Sequence, residues 1–93
     1  MDTQYTFHED SGHGWLEVKR AELISLGILD QISHYSYQDG DTVYLEEDCD
    51  LERFCIAKNI KTFSDLNANR SYSESSDIRG YGRFRKTPNQ KGK

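Results

Sequence analysis

Two alternating runs, between Ile32 and Glu47, flank the dipeptide Asp39-Gly40. No other feature constrains the chain as much, because Asp-Gly is a preferred pair for a two-residue type I′ turn, and such a turn fixes the register of two strands. The predicted register sets Gln38 opposite Asp41, Tyr37 opposite Thr42, Ser36 opposite Val43, Tyr35 opposite Tyr44, His34 opposite Leu45 and Ser33 opposite Glu46. Since side chains alternate between faces, Ile32, His34, Ser36, Val43 and Leu45 form the expected core face. Ser33, Tyr35, Tyr37, Thr42, Tyr44 and Glu46 form a tyrosine-lined polar face.

An earlier hairpin is read from Tyr5-Thr6-Phe7-His8 and His13 to Val18, which alternate on either side of the turn formers Glu9-Asp10-Ser11-Gly12. Between the hairpins, Ala21, Leu23, Ile24 and Ile28 have helical spacing, and Gly27 sits where a left-handed residue ends a helix, so a two-turn helix is predicted from Arg20 to Leu26. A second helix is predicted over 51–58, with Asp48 or Asp50 as its N-cap, Leu51, Phe54, Cys55 and Ala57 as its apolar stripe, and Asn59 as its left-handed terminator. The order is ββαββα: an α+β domain with a four-stranded antiparallel sheet and two helices.

Apolar residues at element-like intervals end near Ile60, and a chain of 93 residues builds one core. Residues 1–84 are therefore read as a single domain, with Asn67 to Ser76 too polar for a confident element, Ile78, Tyr81 and Phe84 as candidate anchors to the body, and 85–93 as a basic, disordered tail. Cys49 and Cys55 are too far apart along a helix for a disulfide and are expected to be reduced. The N-terminus lacks the layout of a signal peptide and no apolar run is long enough for a membrane span, so a cytoplasmic protein is expected.

The net charge of −4 conceals a division. Residues 1–60 carry four Lys/Arg against thirteen Asp/Glu, or −9, while residues 61–93 carry eight against three, or +5. Such segregation either steers partners or folds the tail back onto the acidic body.

Four constellations could carry chemistry. His8, Asp10 and His13 place imidazoles and a carboxylate around a turn, as metal ligands or as a base with its orienting acid, but without regular ligand spacing; a turn shaped by Asp10 and the glycines is the preferred reading, with no metal and no cofactor expected. Glu46, Glu47, Asp48, Asp50 and Glu52 suit the cap and dipole of the following helix and could hold Mg²⁺ or Ca²⁺, though without the order of an EF-hand; five carboxylates exceed what capping requires, and the excess reads as an anionic surface for a partner. Tyr35, Tyr37 and Tyr44 lack a basic rim, which points to packing or protein contact rather than nucleic acid. Arg79, Arg83 and Arg85, interleaved with Tyr81 and Phe84, either pair with the acidic body or give a nucleic-acid-binding arm.

The strings Phe7-His8-Glu9-Asp10-Ser11-Gly12-His13-Gly14-Trp15-Leu16, Ile32 to Tyr37, Val43-Tyr44-Leu45-Glu46-Glu47-Asp48-Cys49-Asp50 and Ser76-Asp77-Ile78-Arg79-Gly80-Tyr81 resemble a family of small proteins encoded by phages and plasmids. The likeness covers most of residues 5–84 and departs from the family pattern at Ser11, where the family has Pro, and at Gly80, where it has Asn. It brings no catalytic residues with it. What it implies is a mobile-element setting, in which short acidic proteins bind and block a host or competitor complex. The leading expectation is thus a non-enzymatic inhibitor of a defence or nucleic-acid-processing complex. The alternative is a small enzyme or metal-binding domain joining His8, Asp10 and His13 to Glu46, Glu47 or Asp48, with Arg79 as an anion clamp.

Overall fold

The structure, a computed structural model, describes residues 5–61, 65–74 and 77–86, apart from the side chain of Arg79. Phe63, Ser76 and residues 87–93 lie outside the described residues, as does the expected disorder of the tail beyond Lys86.

The first hairpin forms as the alternation requires: β1 (Tyr5–Glu9) pairs antiparallel with β2 (Gly14–Lys19), with Glu9 opposite Gly14 and His8 opposite Trp15. Gly14 is needed for its lack of a side chain, since a Cβ there would lie 2.4 Å from the Phe7 ring. Helix α1 (Arg20–Ser25) follows directly, and its end is closed by two bonds: Ile28 N donates to Leu23 O at 3.0 Å and Gly27 N to Ile24 O at 3.0 Å. Gly27 has φ +74°, so this is the Schellman ending the sequence signalled.

The second hairpin differs in two ways from the expected one. Strands β3 (Tyr37–Asp39) and β4 (Thr42–Glu46) pair Asp39 with Thr42, Gln38 with Val43 and Tyr37 with Tyr44, so the turn residues are Gly40 and Asp41. Gly40 has φ +63° and Asp41 does not share the left-handed region, which is the type II′ pattern with glycine first rather than I′. A I′ turn on Asp39-Gly40 would have forced Asp39 itself to positive φ, whereas here glycine alone takes that conformation. The pairing moved by two residues along the partner strand, so each side chain kept its face. The other difference is length: Leu29–Gln31 is a 3₁₀ turn, and Ile32–Ser36 is loop. His34 is consequently exposed and stacked on Tyr35, not in the core.

Helix α2 (Asp50–Ala57) begins one residue earlier than predicted and ends in a second Schellman turn, with Ile60 N bonded to Cys55 O at 2.8 Å and Asn59 at φ +59°. After it come two strands that polarity hid. Edge strand β5 (Ala68–Tyr72) runs parallel to β1, and the two-residue β6 (Gly82–Arg83) runs antiparallel to β3. The described strands form one mixed sheet in the order β5-β1-β2-β4-β3-β6, in place of the expected four antiparallel strands.

Both helices cover one face of the sheet, where Phe7, Leu16, Val43 and Leu45 meet Leu23, Leu51 and Phe54. Lys58 ties the helices together through a 2.7 Å ion pair with Glu22, which also accepts the Tyr5 hydroxyl. The opposite face holds Trp15 and Tyr44 under a 3₁₀ turn, Asp77–Gly80, that packs Ile78 and Tyr81 on them. Phe84 then joins the helix-side core. Buried Arg20 fastens this return, donating to the carbonyls of Arg85 at 2.9 Å and Lys86 at 3.2 Å, so the first two residues assigned to the tail are held by the body. No described helix is long and apolar enough to cross a membrane.

Candidate functional site

Strand register assembles the site on the sheet face opposite the helices. Trp15 lies beside Glu46 across the β2–β4 pair, and Tyr37 lies beside Arg83 across β3–β6. Between these pairs opens a cleft of about 380 Å³. Its aromatic wall is Trp15, Tyr35 and Tyr37, and its polar end is His13, Glu46, Asp48 and Cys49. Arg83 completes the rim with its guanidinium 4.6 Å from the centre of the Tyr37 ring.

The β1–β2 turn presents His13. Asp10 accepts the N–H groups of Gly12 and His13 on one oxygen, each at 2.9 Å, and Asp10 N donates to His13 O. Its carboxylate therefore helps to shape the turn, in line with the preferred reading. His8 goes elsewhere: its Nε2 is 2.7 Å from Glu17, and it lines a separate hollow of about 200 Å³ with Tyr44 and Ser73. The alternative site of His8, Asp10 and His13 is therefore not brought together, since His8 turns to Glu17. What the structure joins instead is His13, Glu46 and Asp48, whose donor atoms all lie within 4.8 Å of one another.

The acidic stretch divides by role. Glu46 is only 9% exposed; its Oε1 accepts the N–H groups of Asp48 at 2.9 Å and Cys49 at 3.0 Å, which holds the junction leading into α2. Asp50 is fully buried and caps nothing. It accepts Ser33 N at 3.1 Å, the Ser33 hydroxyl at 2.8 Å and the Ser36 hydroxyl, while Ser36 Oγ in turn accepts Glu46 N. The sequence reading placed Glu46 and Asp50 on a partner surface with Glu47, Asp48 and Glu52; Asp50 is instead interior, Glu46 is buried at the cleft, and Glu47, Asp48 and Glu52 are exposed. Burial, and after it the carboxylates of Asp48 and Glu46, raises the Glu47 pKa above the usual range.

The tyrosines divide too. Tyr35 is exposed and Tyr37 half-buried, both facing the cleft, whereas Tyr44 is buried against Tyr81 and does not line the cleft. Burial, followed by the nearby Glu17, raises its hydroxyl pKa strongly. Of the tail arginines, Arg83 stacks on Tyr37 and Arg85 donates its N–H to Gln38; the side chain of Arg79, the proposed clamp, lies outside the described residues. Cys49 and Cys55 are both free thiols, with Cys49 at the cleft. Sequence reasoning missed Trp15 and Arg83 as cleft residues, because only the register of β2 with β4 and of β6 with β3 brings them together.

Set against protein-family models, curated proteins and solved structures, the chain finds no match in any of the three.

Proposed function

We propose that the chain is a non-enzymatic binding protein whose cleft receives a cationic side chain from the basic surface of a partner protein. One observation carries this: three aromatic rings, Trp15, Tyr35 and Tyr37, stand against the carboxylates of Glu46 and Asp48 in a single cleft. Ring faces attract ammonium and guanidinium groups through their quadrupole, and carboxylates add a charge-assisted hydrogen bond. Arg83, lying over Tyr37, is an internal instance of the same contact. Glu47 and Glu52 extend negative charge beyond the cleft, which favours fast, salt-sensitive association with a positively charged groove. A phage or plasmid inhibitor of a nucleic-acid-handling or defence complex would have this chemistry, since its target's groove is built to receive phosphates.

The test is a titration of the chain with an arginine-rich peptide and, in parallel, a pull-down from host cells at low and high salt. Tyr35→Ala with Glu47→Gln and Asp48→Asn leaves the interior untouched and should weaken peptide binding at least about tenfold. It should also remove the salt-sensitive proteins from the pull-down. Retention of both by the triple variant would refute the reading.

A further inference from the structure

From His13, Glu46 and Asp48 we infer a divalent transition-metal site at the polar end of the cleft. Three separate places in the chain supply the donors: the β1–β2 turn, the end of β4 and the loop before α2. The set is mixed, one imidazole and two carboxylates, which suits Zn²⁺ or Mn²⁺ better than a hard ion that prefers oxygen alone.

Glu46 distinguishes the group from a surface patch of acids. The side chain is only 12% exposed, and its Oε1 is fixed by two backbone N–H groups. That leaves Oε2 directed at the His13 ring, with Nδ1 3.8 Å away. The separation is too long for a hydrogen bond. It matches two donors bound to one ion, which at bond lengths of about 2.0–2.2 Å stand roughly 3–4 Å apart. The bonds to Oε1 do what outer partners do for a ligating carboxylate: they orient it before the ion arrives. His13 and Asp48 are exposed, and their donor atoms already lie within 4.8 Å of each other and of Glu46.

This grouping keeps His13 with Glu46 and Asp48 from the alternative read in the sequence and leaves out His8 and Asp10; the expectation of no metal binding rested on the lack of ligand spacing around His8 and His13. With three protein donors, at least one coordination position faces the cleft, where a water molecule or a partner's group can complete the shell. The bound ion and a partner's cationic side chain would compete for Glu46 and Asp48, so metal would weaken the association proposed above. The metal site itself is measured on the isolated chain, and its failure leaves the partner reading untouched.

Calorimetric titration of the untagged full chain with Zn²⁺, Mn²⁺ and Mg²⁺ tests the site. The expected result is one Zn²⁺ per chain, with Mg²⁺ at least about tenfold weaker because it gains little from an imidazole. His13→Ala and Asp48→Asn, both surface changes, should each lower Zn²⁺ affinity at least about tenfold. His8→Ala, on the separate hollow, should leave it unchanged. Absence of saturable Zn²⁺ and Mn²⁺ binding would overturn the inference. So would Zn²⁺ affinity that survives His13→Ala, or that falls equally with His8→Ala.

Discussion

Replacing Asp50 with alanine removes the acceptor at the centre of a buried polar cluster. Ser33 N–H, the Ser33 hydroxyl and the Ser36 hydroxyl all donate to this carboxylate, and both Asp50 and Ser36 are fully buried. A hydrogen bond to a charged acceptor is worth about 1.5–3 kcal/mol, and a buried donor left without a partner costs about 1–3 kcal/mol. The hydroxyls can partly reorient, and relief from burying a charge offsets some of the loss, so the net destabilisation is expected to be about 3–5 kcal/mol. For a domain of this size that corresponds to a fall in Tm of roughly 15–30 °C. Urea unfolding followed by the fluorescence of Trp15, the single tryptophan and only 2% exposed, reports the change directly. Glu52→Ala, an exposed acid on the same helix, is the control and should stay within about 0.5 kcal/mol of the parent. If Asp50→Ala also fell within that margin, Asp50 would not organise the loop beneath β3 and β4, and its assignment to the interior would be wrong.

Gly40→Val places a β-branched residue at φ +63° and should destabilise the hairpin by about 1–3 kcal/mol, read as a lower Tm. In alkali, a hydroxyl whose pKa is raised in the fold contributes stability that is complete below its unfolded value, near about pH 10, and is lost as pH rises through the folded value. Tyr44, Tyr5 and Lys58 all shift upward, so stability should decline above about pH 10, and Tyr44→Phe should flatten that decline in urea melts taken across pH 9 to 12.

The sequence exposed those parts of the fold whose local chemistry has one solution. Gly27 and Asn59 each ended a helix where a left-handed residue was expected, and the alternation of Val43, Tyr44 and Leu45 set the two faces of the sheet. Asp39-Gly40 marked a turn, but the choice between positions 39-40 and 40-41 depended on which residue would bear positive φ, and on the inward use of Gln38 by Arg20 and Arg85. Strand β5 was hidden because an exposed edge needs no apolar alternation, and its residues after Ala68 are all exposed. For the site, the acidic stretch was found and its roles were not. Nothing local distinguishes Asp50, which turns inward to two serines at least fourteen residues away in sequence, from Asp48, which turns outward.

The cover over Trp15 and Tyr44 has a consequence for biosynthesis. Ile78 and Tyr81 emerge from the ribosome long after β4, and the roughly thirty-five intervening residues take about 2–7 s to translate at about 5–20 residues per second. During that interval a nascent chain ending near Glu46 would carry an aromatic sheet surface with no lid, and β3 would lack its outer neighbour β6. Closure is therefore a late event, and until Ile78 and Tyr81 are seated the bare surface is open to capture by a chaperone or a second nascent chain.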